Sequence, residues 1–126
     1  MHERAVKELV NELNRRIMAR PWFDFEVLEY GGGRLVIAGG IDPTVAAELE
    51  IHFEEVFFYA GVMNWKTDTS TPCLSLLTGP AALDLNLEYK VERGNHLFRF
   101  AAEGYPTSFG CVLASKSISF SSAVSE

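Results

Sequence analysis

Basic residues are scarce in this chain: 11 Lys+Arg stand against 17 Asp+Glu, a formal net charge of −6 over 126 residues. Nucleic-acid recognition needs a concentrated basic footprint to meet the phosphates. Here the bases are scattered, the densest group being Arg15, Arg16 and Arg20, so no nucleic-acid partner is expected. Long apolar runs are missing too, and nothing approaches the roughly 18 residues that a membrane-spanning helix requires. The opening Met1-His2-Glu3-Arg4 leads into an amphipathic pattern and not into the apolar stretch of a secretory signal. A cytoplasmic location with no membrane association is the expectation.

Cysteine is limited to Cys73 and Cys111, with no CxxC pair. Two thiols alone cannot close a structural zinc site. In a reducing compartment they read first as buried thiols. A disulfide and a reactive thiol are the lesser readings, since neither cysteine has a basic neighbour or a helix start to lower its pKa. Catalytic signatures are absent as well: the chain has no G-x-S-x-G elbow and no HExxH helix, and His2, His52 and His96 have no recognisable nucleophile beside them. Gly31-Gly32-Gly33 is not a phosphate loop, because no Lys-Ser/Thr follows and a strand comes next in place of a helix. No enzyme activity, cofactor or metal is expected.

What is present is a clear change of hydrophobic period. Val6, Leu9, Val10, Leu13 and Ile17 form one stripe at three-and-four spacing, predicting an amphipathic helix over 2–19 that Pro21 ends. Phe23, Phe25 and Val27 then alternate with Asp24 and Glu26, the period of a half-buried strand. The glycine run turns the chain into a second arm at 34–38. Residues 39–43 break the pattern, with a short helical turn expected at 44–47. In the next strand Leu49, Ile51 and Phe53 share one face, but Val56 and Phe58 carry the apolar pattern on even numbers. That slip predicts a β-bulge at Glu54-Glu55.

Residues 60–72 read as a loop holding Trp65, flanked by Lys66 and Asp68. Further strands are predicted at 73–77, 85–91, 96–101 and about 109–120, with Pro80 opening a helical turn through Leu83. Trp22, at the helix-to-strand corner, reads as a core plug. The sum is one α+β domain over 1–126. An N-terminal amphipathic helix (1–20) packs on a mostly antiparallel sheet of about seven strands (22–121), followed by a frayed tail (122–126).

The best local constellation is Glu48, Glu50, His52 and Glu54, all in one strand phase. Neighbouring members start about 7 Å apart, so an adjacent histidine and carboxylate could share an ion only with further ligands from another strand. The row reads first as a solvated sheet face and next as a surface for a basic partner. Trp65 in its polar loop reads either as a core cap or, with Lys66 and Asp68, as part of that contact.

The phrases Leu35-x-Ile37-x-Gly39-Gly40-Ile41-Asp42 and Leu49-x-Ile51-x-Phe53-x-x-Val56-x-Phe58, followed by the Trp-bearing segment, resemble small bacterial single-domain proteins. Some of these are similar to the immunity proteins encoded beside secreted toxins. The resemblance, over residues 23 to 120, implies a cytoplasmic, non-enzymatic protein that binds another protein. Two other readings stay open. One is a small-molecule-binding or enzymatic domain with a pocket between sheet and helix lined by Phe53, Phe58, Tyr89 and Phe98. The other is a homodimer formed through whichever sheet face one helix cannot cover.

Overall fold

The computed structural model describes residues 1–106 and 111–122. Helix α1 (Glu3–Met18) is followed by β1 (Phe23–Gly31), β2 (Arg34–Gly40), β3 (Leu49–Ala60), β4 (Asn64–Thr67), β5 (Leu74–Leu77), α2 (Gly79–Tyr89), β6 (His96–Phe100) and β7 (Cys111–Ser122). The strands form one seven-stranded sheet in the order β4-β1-β2-β3-β7-β6-β5, and every pairing is antiparallel. This is the expected α+β architecture, with a second helix of which the sequence pattern announced only the first turn, from Pro80 to Leu83. The expected start of the last strand at Phe109 and the tail beyond Ser122 lie outside the described residues.

Hydrophobic burial orders the core. Val6, Val10, Leu13 and Ile17 of α1 are buried against Phe25, Ile37, Ile51, Phe53, Phe98 and Phe100 of the sheet. Each such side chain contributes about 1.5–3 kcal/mol on leaving water. The β1–β2 hairpin closes through Gly32 and Gly33, whose φ values of 60° and 77° make a type I′ turn that side chains with a Cβ resist. Farther along β2, Gly39 lies beneath the rings of Phe23 and Phe25, and a Cβ there would come within 2.5 Å of Phe23.

The sheet curls until its ends meet. The Trp65 ring on β4 packs 5.4 Å from Phe25 and 5.3 Å from Phe100 of β6, and Glu103 N–H donates to the Lys66 carbonyl at 2.8 Å. At the other edge α1 covers β5. Asn14, on the same stripe as the helix's apolar residues and only 7% exposed, donates from Nδ2 to the Leu74 carbonyl at 2.8 Å. Its Oδ1 accepts from the N–H groups of Leu74 and Cys73 at 3.0 and 3.2 Å. One side-chain amide thus does for this edge what a neighbouring strand would do.

Four sequence expectations are corrected. Residues 60–72 are not all loop, because β4 lies within them and adds an edge to β1. Residues 85–91 are not a strand: α2 runs from Gly79 to Tyr89 and ends at Lys90 in the left-handed region. The segment 79–90 contains no β-branched residue and is rich in Leu and Ala, which favour a helix. Both edges of β6 are also already taken, by β5 and β7. Trp22 is 52% exposed, its indole N–H donating to the Ile41 carbonyl, because the inward phase of Phe23 and Phe25 turns it outward. The short turn expected at 44–47 is, by contrast, present and begins one residue earlier: residues 43–45 form it, and Asp42 C=O accepts from the amides of Val45 and Ala46. The bulge is displaced slightly: Glu55 is left-handed at φ 52°, while the extra residue against β7 falls between Val56 and Phe58.

Two predictions follow from this packing. Asn14→Leu strands the outward groups of Leu74 and Cys73, so a urea titration should show a loss of about 2–3 kcal/mol. An unchanged midpoint would mean that the amide does not hold the edge. On the exposed side of α1, hydrogen bonds from Arg15 and Arg16 hold the Glu12 carboxyl down to about 2, from 4.5. A lowered carboxyl stabilises the fold above its unfolded pKa and loses that contribution as pH falls through the folded value. The helical circular dichroism gap between the wild type and Glu12→Gln should therefore close between pH 4.5 and 2.

Candidate functional site

Directly paired residues of an antiparallel sheet share a face, so the register maps the side turned away from α1. One rung runs Asn64, Glu26, Ala38, Glu50, Ser121 across five strands. The next runs Glu29, Val36, His52, Ser119, and the third runs Arg34, Glu54, Ser117. Asp24 opposite Lys66 closes the β4 end. Five carboxylates (Asp24, Glu26, Glu29, Glu50 and Glu54) thus share this face with Arg34, Lys66 and His52. Between the acidic rows of β1 and β3, β2 presents Gly40, Ala38 and Val36, all buried by their neighbours, and then Arg34.

At the centre of the face Arg34 sits among several acceptors. Its Nε lies 3.2 Å from Glu54 Oε1 and 4.0 Å from Glu29 Oε2, and its Nη2 lies 3.1 Å from His52 Nδ1. Such half-exposed ion pairs contribute about 0.2–1 kcal/mol each. On the other side of the ring, His52 Nε2 lies 3.5 Å from both Glu50 Oε1 and Ser121 Oγ. A guanidinium can only donate, so Nδ1 is the acceptor and the ring hydrogen is on Nε2. An imidazole that turns its N–H toward Ser121 cannot take the serine proton. The convergence of histidine, carboxylate and serine is therefore not a nucleophile–base pair.

The expected row is only partly assembled. Glu50, His52 and Glu54 stand together as anticipated. Glu48 precedes β3 and is committed elsewhere: Oε1 lies 3.0 Å from Arg20 Nε, and Oε2 accepts from the Ile41 N–H at 2.8 Å. Trp65 is 4% exposed and belongs to the core, so the reading of it as a contact residue is corrected in favour of the core cap. The physical reason is strand phase. Residues 64–67 form β4, which alternates Trp65 and Thr67 inward with Asn64 and Lys66 outward. Lys66 joins the acidic face. Asp68 lies past the strand end, its carboxyl held below the usual range by the Ser70 N–H.

Arg34 is the central residue of this face that sequence reading missed. Its alternation with Leu35 placed it outward, but the meeting with His52 depended on the β2–β3 register. Beside the face, Asp24, Glu26, Asp42, Thr44, Asn64 and Lys66 border a half-open pocket of about 200 Å³. Among the described residues no group of three or more His, Cys, Asp or Glu could hold a metal ion. No helix among them is long and apolar enough to cross a membrane.

The aromatic pocket anticipated between sheet and helix is not formed. Phe53 and Phe98 pack edge to face at 5.2 Å inside the core. Phe58 instead stacks at 4.0 Å on Tyr89 of α2, outside that cluster. The thiols offer no alternative chemistry: Cys73 and Cys111 are free and buried, and burial pushes the Cys73 thiol up to about 12. No family model, curated protein or solved structure matches the chain.

Because Trp65 is a core residue, Trp65→Ala should cost about 3–5 kcal/mol of stability in a denaturant titration. A loss of partner binding at full stability would return the ring to the contact surface.

Proposed function

We propose that this chain is a non-catalytic protein-binding module of the immunity-protein kind, acting in the bacterial cytoplasm, which docks a basic protein surface on its acidic sheet face. The observation that carries the reading is the placement of charge. Five carboxylates stand on the side of β1–β3 turned away from α1, and only Arg34 and Lys66 offset them there. Such a field attracts a basic partner over a Debye length of about 10 Å at 0.1 M salt and repels a like surface. A second copy docking through this same face would bring carboxylate against carboxylate, so the face favours a different, basic partner over a homodimer.

The groups at its centre suit contact better than reaction. Glu50 and Glu54 are a third to a half exposed and can each accept from lysine or arginine. Between the acidic rows the small residues of β2 leave no bulky apolar side chain in a partner's way.

The test places a photo-crosslinking residue at Ser119, which is exposed on this face. A basic protein captured by that residue should bind the Glu50→Lys/Glu54→Lys variant at least tenfold more weakly, about 1.4 kcal/mol. Its wild-type affinity should also fall with added salt. Equal affinity of the two forms, with the variant folded by circular dichroism, would refute docking through this face.

A further inference from the structure

The base at the centre of the acidic face is held by a group whose charge changes with pH. Arg34 Nη2 donates to His52 Nδ1 at 3.1 Å, a bond that exists only while that nitrogen keeps its lone pair. We propose that His52 is a proton-operated latch on Arg34 that sets the charge this face presents.

All the polar groups around the ring take part. Arg34 faces it from β2, and Glu29 of β1 reaches it only through Arg34. Glu50 and Glu54 flank it on β3, Glu50 Oε1 lying 3.5 Å from Nε2 while Glu54 pairs with Arg34. From β7 come the hydroxyls of Ser119, opposite in register, and Ser121, 3.5 Å from Nε2. With a neutral ring, Nδ1 anchors the guanidinium and Nε2–H points to Glu50 and Ser121.

A proton arriving from solvent binds Nδ1, the one free lone pair of the ring. Two donors then face each other, and the Arg34–His52 bond is replaced by repulsion between cations. The imidazolium keeps Glu50 as its counter-ion through Nε2–H, now charge-assisted. Arg34 withdraws to Glu54 and Glu29 or into water. The face has gained one positive charge, and its only central guanidinium is free. Histidine is the side chain suited to making this change between about pH 5 and 8. The latch stands on hydrogen-bond geometry alone; its use as a switch for docking rests on the proposed function, because a basic partner meets a weaker field in acid.

The decisive measurement is nitrogen-15 NMR of the full chain. At pH 7.5 the neutral His52 ring should carry its hydrogen on Nε2. The Arg34 Nη protons should show a hindered, slowly exchanging signal that is lost as His52 takes its second proton. In His52→Asn, Oδ1 stands in for Nδ1 without titrating, and the signal should persist at every pH. A neutral ring protonated on Nδ1, an Arg34 signal indifferent to His52 protonation, or the same loss in His52→Asn would each overturn the latch.

A deca-lysine peptide tests its use. Binding to the wild type should weaken threefold or more from pH 7.5 to 5.5 and stay constant for His52→Asn. Equal wild-type binding at both pH values overturns the switch. Should the NMR signals behave as described while deca-lysine binds neither protein at any pH, the latch stands and the docking of basic partners falls.

Discussion

One buried amide holds the open edge of this sheet. A seven-stranded antiparallel sheet has two edges, and each exposes unpaired N–H and C=O groups that invite other strands. At β5 the Asn14 side chain supplies both a donor and an acceptor to Leu74 and accepts again from Cys73, so the helix is bonded to the edge as well as packed on it. At the far end β4 is drawn in by Trp65 and by the Glu103–Lys66 backbone bond. The helix is thereby confined to the concave side of the curl, and the other face of β1–β3 is left to water.

That division explains why the charge lies where it does. The concave face gathers Leu35, Ile37, Ile51 and Phe53, all fully buried. The partner residues in the opposite strand phase have only solvent or another protein to meet. Carboxylates there cost little in desolvation while they stay in water. The arrangement of Arg34 between His52, Glu54 and Glu29 adds a local constraint. A base in an acidic field is neutralised, and its guanidinium is anchored between a ring nitrogen and two carboxylates.

Much of the architecture was legible in the residues because it is written in local period. The stripe of α1, the glycine-closed hairpin of β1 and β2, and the alternation of Leu49, Ile51 and Phe53 each need only near neighbours to be read. The errors arise where period is ambiguous. Leu85, Leu87 and Tyr89 alternate like a strand, yet helix-favouring composition and a sheet with no vacancy beside β6 make them helical. Four residues around Trp65 are too few to show alternation, and they became a strand only because β1 offered an edge. Asn14 was hidden for another reason: a polar residue in an apolar stripe looks like an interruption until its acceptor and donors, some sixty residues away, are in place.

For the candidate site the same distinction applies. Charge balance, the missing catalytic motifs and the phase that unites Glu50, His52 and Glu54 are properties of the chain alone, since composition and strand period survive without any knowledge of partners. Register is not such a property. Whether Arg34 meets His52, whether Glu48 joins the row or turns to Arg20, and which side of the sheet stays uncovered depend on how distant strands slide into alignment and where the helix comes to rest. Those outcomes are settled by the packing of the whole core, which no local pattern contains.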